Sequence, residues 1–156
     1  MGALVLNGYT IRYRMRYDDD RIIEIARSFY GDDVWTADEL IDLLKKRSIS
    51  CRVAERPDGC VVGYIIWVIA KDRFEIISLV TDEHYRRKRV ASALLVGLQK
   101  TCNSARPTIL VQIYEDDEGP LRLLVKNGFR VEKVVHSSPQ KALYRERDFL
   151  LMAWHR

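Results

Sequence analysis

Apolar and polar residues alternate along the first third of the chain with two different periods. Residues 9–17 (YTIRYRMRY) alternate one by one, which predicts a strand with one basic, solvated face, and residues 4–6 could pair back on it. The three aspartates at 18–20 can cap a helix that ends at Gly31. The apolar face of that helix would consist of Ile22, Ile23, Ile25, Ala26 and Phe29. We therefore expect a strand followed by an amphipathic helix.

The remaining pattern continues as a second helix and then mostly strands. Thr36, with Glu39 three residues later, is a capping box that begins the second helix. Two extended apolar segments flank the turn at residues 57–59, which predicts a hairpin. Further along, strands are predicted over 74–81, 108–115, 129–135 and 149–154, with helices beginning near Val90 and Pro120. The order β-α-α-β-β-β-α-β-α-β-β predicts a single α/β domain over residues 1–156. Its mixed, mostly antiparallel sheet would have a central parallel pair, and helices would cover both faces.

Composition narrows the class of protein. The 156 residues are 47% hydrophobic and 31% charged, as in ordinary globular domains, and no apolar run approaches the length of a membrane span. Three cysteines without metal-ligand spacing favour a reducing compartment and argue against a metal site. Together with the lack of an apolar span, they lead us to expect a cytoplasmic protein that does not bind membranes. The net charge of +4 favours an anionic ligand.

Four consecutive cations stand between the predicted strand 74–81 and the helix that begins near Val90. They are Arg86, Arg87, Lys88 and Arg89. A basic turn at a helix N-terminus is suited to a phosphate, because unpaired N–H groups and the helix dipole both favour an anion there. The alternatives are a solvated turn and a nucleic-acid patch. Without interleaved aromatic residues or an RNA-binding motif, nucleic acid is disfavoured.

This stretch resembles the GNAT superfamily of acetyl-CoA-dependent N-acetyltransferases. The family pattern Q/R-x-x-G-x-G/A corresponds to Arg86, Arg89 and Ala91 in RRKRVA. A later pattern, N-x-x-A-x-x-L-Y followed by Gly-Phe, corresponds to Asp117, Pro120, Leu123, Leu124 and the pair Gly128-Phe129. The element order fits as well. Within the superfamily, VWTADEL, YRRKRVASALL and the ending DFLLMAW are most similar to the ribosomal-protein-alanine (RimI-type) N-terminal acetyltransferases.

The resemblance implies a GNAT fold that binds acetyl-CoA as co-substrate, without a metal, and transfers acetyl directly to an amine. The residues it places at the cofactor are Leu79, Val80, Thr81, Arg86, Arg87, Lys88, Arg89, Val90, Ala91, Ser92, Asp117 and Leu124. A backbone N–H near Val80 or Thr81 would support the oxyanion.

The chain departs from the family pattern at four positions. Arg89 stands at the first glycine of the diphosphate loop, and Asp117 replaces an asparagine. Leu124 stands where many members have the tyrosine that protonates the thiolate, and Gln112 where the alanine acetyltransferases have a glutamate base. Because Leu124 and Gln112 cannot act as an acid or a base, Glu75 is the first candidate for the base. It lies eleven residues before Arg86, as the catalytic glutamate does in the histone-acetyltransferase branch.

Strand alternation would place Glu75 on the apolar face shared by Ile77 and Leu79, although a carboxylate at the sheet margin is an equally simple interpretation. Tyr114 and Tyr144 are alternative catalytic groups, and His84 is expected to be a surface residue. An α-amine with a pKa near 8 is about one-tenth neutral at pH 7, whereas lysine is neutral in under one part in a thousand. A weakly placed base therefore favours a protein or peptide N-terminus. A small-molecule amine or lysine, and a degenerate acyl-CoA-binding module, are the alternatives; the chain would be a monomer or homodimer.

Overall fold

The computed structural model describes residues 2–31, 34–136 and 148–156. It is a single sheet of strands with helices on both faces, as the pattern predicts. The strands are β1 Leu4–Leu6, β2 Tyr9–Tyr13, β3 Ile49–Glu55, β4 Val61–Ile69, β5 Arg73–Thr81, β6 Thr108–Tyr114, β7 Arg130–Val135 and β8 Phe149–His155. The helices are α1 Asp19–Tyr30, α2 Ala37–Leu44, α3 Val90–Thr101 and α4 Glu118–Lys126. No described helix is long and apolar enough to cross a membrane.

The sheet runs in the order β1-β2-β3-β4-β5-β6-β8-β7. Neighbouring strands are antiparallel except for β5 and β6, which are parallel and are joined through α3. This confirms the predicted mixed sheet with one central parallel pair, as well as the hairpin of β3 and β4. The minor strand β1 pairs with β2 across the Asn7-Gly8 turn.

Two hydrophobic clusters cover the two faces of the sheet. On one face, α1 and α2 pack on β3 and β4 through residues that include Ile22, Leu40 and Tyr64. On the other face, α3 and α4 pack through Leu94, Leu98 and Leu124. The capping box of α2 is present, because Glu39 N donates to Thr36 Oγ1 while Thr36 N donates to the Glu39 carboxylate. Each face of the sheet therefore has its own hydrophobic core, and the sheet lies between the two cores.

The predicted strand over 9–17 is too long, and its basic face is only partly solvated. The strand ends at Tyr13, and a short 3₁₀ helix follows at Arg16–Asp18. Arg12 binds both carboxylate oxygens of Asp18, which is only 3% exposed, and Tyr17 is 74% exposed. The alternation is misleading because ion pairs with Asp18, Asp19 and Glu55 leave Arg12 and Arg14 half-buried. Arg16 is exposed, but it lies in the 3₁₀ helix. The tyrosine that the pattern places inward lies beyond the end of the strand.

The apolar face of α1 also differs from the prediction at its C-terminal end. Ile22, Ile25 and Ala26 are buried, but Phe29 is exposed and the half-buried aromatic residue is Tyr30. Tyr30 turns inward because its hydroxyl reaches Ser78 on β5, whereas the ring of Phe29 lies against Tyr30 and Arg86.

Candidate active site

The central feature of the sheet is a cleft between β5 and β6. The two strands pair only from Arg73 to Ile76 on β5 and from Thr108 to Val111 on β6. Beyond that point, residues 78–81 stay paired with β4 while residues 112–114 stay paired with β8. Each strand therefore presents one line of backbone N–H and C=O groups to the gap, and an extended ligand can use these groups as a strand would.

A β-bulge on β5 lies where the cleft begins. Ile66 on β4 pairs with Ser78, but the next residue, Trp67, pairs with Ile76, so Ile77 has no partner across the ladder. The extra residue reverses which side chains face which helices. Phe74 and Ile76 belong to the cluster under α3, whereas Val80 belongs to the cluster under α1.

Because of the bulge, the surroundings of Glu75 differ from those that strand alternation predicts. Leu79 packs toward α3, and Glu75, next to Ile76, lies on the opposite face. The Glu75 side chain is 37% exposed, and Arg73 Nε donates to its carboxylate at 2.8 Å. Glu75 is therefore an ion-paired, water-accessible carboxylate just before the cleft, and the apolar setting expected from simple alternation is wrong.

The basic turn lies at the open end of β5, directly before α3. Arg89 is the N-cap of α3 and takes a left-handed conformation with φ of 63°, and Arg87 does the same with φ of 62°. No side chain caps this helix end, so the first amides of α3 are not used by a capping residue. Arg89, which stands at the family glycine position, thus has a backbone conformation that glycine adopts without strain.

The four cationic side chains of this turn are exposed at the mouth of the cleft. Lys88 lies over the ring of Tyr85, and Arg86 lies over the ring of Phe29 with 5.6 Å from guanidinium carbon to ring centroid. A cavity of about 120 Å³ separates α1 from this turn, and Phe29, Thr81 and Arg86 are among its lining residues. Exposed cations around a helix N-terminus, beside two open strand edges, fit a long ligand that carries phosphates.

The first turn of α3 is held close to the sheet by a glycine on β4. A Cβ added at Gly63 would lie 2.8 Å from Val90 Cγ1 and 3.1 Å from the Val80 carbonyl oxygen. Gly63 therefore sets the distance between the helix N-terminus and β5. Val80 and Val90 are buried, so contacts that they make with a ligand in the cleft would come from their backbones. Ala91 and Ser92 are half-buried beside them.

The later positions suggested by the family pattern lie around α4. Asp117 is half-buried at the N-cap of α4 without a capping hydrogen bond from its side chain, and Leu124 is buried in the core under that helix. At the other end of α4, Asn127 Nδ2 donates to Ser92 Oγ at 3.3 Å. This contact connects α4 to the first turn of α3.

Of the two alternative catalytic tyrosines, one lies on a strand that borders the cleft. Tyr114 is at the end of β6 with its ring stacked on Phe149, and Gln112 is exposed on the same strand. Tyr144 lies outside the described residues. His84 is exposed in the turn, as expected, with Glu83 3.6 Å away.

Sequence reasoning missed a chain of three hydroxyl groups on the α1 side of the cleft. Ser78 Oγ lies 2.9 Å from the hydroxyl of Tyr64 on β4 and 3.0 Å from that of Tyr30 at the end of α1. Ser78 is 3% exposed, and burial raises the pKa of both phenols although the Ser78 hydrogen bond opposes the shift. All three groups are therefore neutral hydroxyls at physiological pH. In the sequence, the one sign of this hydroxyl chain is a polar residue, Ser78, within a mostly apolar strand.

The three cysteines are free thiols away from the cleft. Cys51 is buried on β3, and burial raises its pKa. Cys102 follows α3, and burial raises its pKa to about 11, while Cys60 is exposed in the β3–β4 turn. In the part of the chain that the structure describes, no group of three or more His, Cys, Asp or Glu could hold a metal ion.

The gap between the parallel strands β5 and β6, beside a cationic helix N-terminus, is suited to an extended ligand that carries phosphates. The model of the acetyltransferase (GNAT) family matches residues 15–129. The chain therefore belongs to the GNAT acetyltransferase family, and it is an N-acetyltransferase that uses acetyl-CoA as its co-substrate. The predicted family, fold and co-substrate are confirmed.

Solved structures with this fold include acetyltransferases of several kinds. The ribosomal-protein-S18-alanine N-acetyltransferase from Escherichia coli is 14% identical with a TM-score of 0.76, covering 94% of this chain and 93% of that one. NAA60 from Arabidopsis thaliana in complex with acetyl-CoA is 16% identical with a TM-score of 0.75, covering 94% and 98%. A spermidine N-acetyltransferase chimera of Vibrio cholerae SpeG and hSSAT is 16% identical with a TM-score of 0.76, covering 95% of each. No curated protein matches the sequence significantly.

Proposed function

We propose that this enzyme acetylates the α-amine of a protein or peptide N-terminus in the cytoplasm, as the ribosomal-protein-alanine enzymes that it resembles do. The observation that carries this acceptor is the composition of the cleft strands. Residues 77–81 (ISLVT) and 112–114 (QIY) contain no carboxylate, histidine or lysine. The nearest β5 carboxylate is Glu75, which is already bound by Arg73.

The ease of proton removal distinguishes the acceptor amines. Reference pKa values for a glutamate and an α-amine differ by about 3.5 units, whereas those for glutamate and lysine differ by about 6 units. Each unit corresponds to about 1.4 kcal/mol, so a lysine costs roughly 3 kcal/mol more to deprotonate. A site whose two strands carry one carboxylate, the water-accessible Glu75, is therefore better suited to an α-amine.

The proposed chemistry assigns Glu75 as the base. Acetyl-CoA supplies the acetyl group as a thioester, and the cleft holds it between β5 and β6. As the amine nitrogen forms its bond to the carbonyl carbon and the C–S bond breaks, Glu75 accepts the amine proton directly or through one water. A backbone N–H of β5 near Val80 stabilises the oxyanion. Leu124 has no proton to donate, but a thiolate with a reference pKa near 8.5 leaves without an acid.

Direct transfer between the two substrates agrees with the positions of the cysteines. An acyl-enzyme would need a nucleophile in the cleft, and all three thiols lie elsewhere on the fold. The raised pKa values of Cys51 and Cys102 also keep these thiols protonated.

A small cationic amine is the second candidate acceptor. Residues 115–118 (EDDE) follow β6 at the open end of the cleft, where their charge would attract a cation. One structure of this fold is a spermidine N-acetyltransferase chimera.

The dependence of kcat/KM on pH tests the acceptor and the base together. For a peptide with a free N-terminus, we expect kcat/KM to rise tenfold per pH unit up to the amine pKa near 8. We expect Glu75→Gln to lower kcat/KM about 100-fold at pH 7 without changing the affinity for coenzyme A. The matched control is Asp72→Asn, which removes the other carboxylate on Arg73 and should retain activity.

Two results would contradict these assignments separately. Turnover of lysine in peptides with blocked N-termini, without turnover of free N-termini, would exclude the proposed acceptor. Equal kcat/KM for Glu75→Gln and Asp72→Asn would exclude Glu75 as the base and leave the acceptor unaffected.

A further inference from the structure

The hydroxyl chain Tyr64–Ser78–Tyr30 has a direction that follows from counting donors. Tyr64 is fully buried, and Ser78 is the hydrogen-bond partner that the described residues offer its hydroxyl. If Tyr64 accepted from Ser78, its own hydrogen would be buried without an acceptor, which costs about 1–3 kcal/mol. Tyr64 therefore donates to Ser78.

The same reasoning fixes the next bond. The Ser78 oxygen accepts from Tyr64, and the Ser78 hydroxyl still has one hydrogen to donate. Among the described residues, its other hydrogen-bond partner is the Tyr30 hydroxyl at 3.0 Å. Ser78 is 3% exposed, so leaving this hydrogen unused would carry a similar cost. Ser78 therefore donates to Tyr30, and the hydrogen of Tyr30 points away from the chain.

The position of Tyr30 places this remaining donor beside the cleft. Ser78 is the first β5 residue after the bulge, where β5 and β6 have separated. Tyr30 is half-buried, and its neighbour Phe29 lines the cavity next to Thr81. Chains of hydrogen bonds polarise one another, so the terminal hydroxyl is a stronger donor than an isolated tyrosine.

We infer that Tyr30 donates a hydrogen bond to the acceptor substrate, with Ser78 and Tyr64 as positioning residues. The inference rests on the proposed function, and the fitting partner is the first carbonyl oxygen of a peptide acceptor. A site that donates to a substrate oxygen discriminates strongly against analogues without that oxygen. Tyr30 thus selects α-amines of peptides over alkyl amines and polyamines, which carry no such acceptor.

A cycle of two enzymes and two substrates tests this. The substrates are a peptide with a free N-terminus and its analogue in which an (E)-alkene replaces the first amide bond. We expect Tyr30→Phe to lower kcat/KM for the peptide about tenfold and to leave the value for the alkene unchanged. The two substrates differ in amine pKa, but this difference cancels because the kcat/KM values of the two enzymes are compared for the same substrate.

Further variants separate recognition from folding. Ser78→Ala should give the same substrate-dependent loss of kcat/KM, because Tyr30 then lacks the donor that orients its hydroxyl. If Tyr30→Phe is unstable, Ser78→Ala serves as the test in its place. The matched control is Tyr13→Phe, which loses a hydroxyl bonded to Arg52 in a different part of the fold. It should affect both substrates equally, and affinity for coenzyme A should be unchanged in all variants.

The outcomes distinguish the two levels of the proposal. Equal losses on peptide and alkene, or none, would overturn the role of Tyr30 while wild-type turnover of the peptide still supports the proposed function. A wild-type enzyme that acetylates alkyl amines but no peptide would overturn the proposed acceptor and the inference with it.

Discussion

Arg89 combines a glycine-like backbone with a cationic side chain. Its φ of 63° lies in the left-handed region, where a residue with a Cβ loses about 1 kcal/mol relative to glycine. The carbonyl of Arg89 also accepts from Ala93 N at 3.1 Å and from Asn7 Nδ2 at 3.3 Å, so the first turn of α3 holds this conformation. The strain is maintained by its surroundings, at the position that corresponds to the first glycine of the family's diphosphate loop.

Substitutions at Arg89 separate strain from charge. We expect Arg89→Gly to raise the free energy of unfolding by about 1 kcal/mol and to weaken coenzyme A binding about tenfold through loss of a charged donor. Arg89→Ala should weaken binding equally without the gain in stability. Thermal unfolding and calorimetric titration measure the two effects. Unchanged affinity in both variants would show that the side chain does not contact the ligand.

The residues that reasoning from sequence could and could not locate differ in the range of their interactions. The basic turn at 86–89 is contiguous, so its place at a helix N-terminus follows from local pattern. The Tyr30–Ser78 bond joins residues 48 positions apart, and no local pattern encodes it. The ion pair of Arg12 with Glu55 likewise joins residues 43 positions apart, so alternation predicts an exposed arginine and only the fold supplies this partner.

At the scale of elements, α3 and β4 act as one unit because Gly63 permits their contact. The hydrogens of Gly63 face Val90 and Leu94, with no space for a methyl group. The bulge in β5 belongs to the same scale. Composition predicts the strand over 74–81, but a bulge depends on pairing with β4, so the sequence could not show that Glu75 and Leu79 lie on opposite faces.

Gly63→Ala tests the contact between α3 and the sheet. The added methyl group would lie 2.8 Å from Val90, so the N-terminus of α3 must move outward. We expect a loss of about 1–3 kcal/mol in the free energy of unfolding, as for other overpacked cores, together with weaker coenzyme A binding.

The control for this change is Gly119→Ala on α4, where an added Cβ meets nothing within 4 Å. It should raise stability by up to about 1 kcal/mol through helix propensity and leave binding unchanged. If Gly63→Ala bound coenzyme A as tightly as Gly119→Ala, the distance between α3 and β5 would not govern the site.

On the scale of the whole molecule, a partly buried ion-pair cluster joins β2, β3 and the start of α1. Arg12 bonds both oxygens of Asp18 at 2.8 and 2.9 Å and Glu55 at 2.7 Å, and Met15 N donates to Asp18 at 2.7 Å. Burial opposes ionisation of Asp18, but the hydrogen bonds from Arg12 and Met15 outweigh it and lower its pKa. The cluster therefore makes stability depend on pH.

Since the pKa of Asp18 is lower in the folded state than the value of about 3.9 in the unfolded chain, its contribution is complete above pH 4. It is lost as the pH falls through the folded value. We expect Asp18→Asn to cost about 2 kcal/mol at pH 7 and progressively less below pH 4, measured by urea unfolding.

Asp20→Asn is the matched control, because Asp20 is an exposed carboxylate in the first turn of the same helix. It should change the free energy of unfolding by less than about 1 kcal/mol, since only its interaction with the helix dipole is lost. A cost of Asp18→Asn that stays constant from pH 7 to pH 2 would contradict the assigned pKa direction.

The cleft between β5 and β6 also creates two sheet edges inside the molecule. Natural proteins blunt such edges with charges, prolines or covering segments, because an open edge can template pairing with another extended chain. Residues 77–81 (ISLVT) are apolar or hydroxylic, with no charge or proline to block pairing. We therefore expect acetyl-CoA bound in this gap to shield these edges, so that the enzyme without its co-substrate aggregates more readily than the enzyme with it.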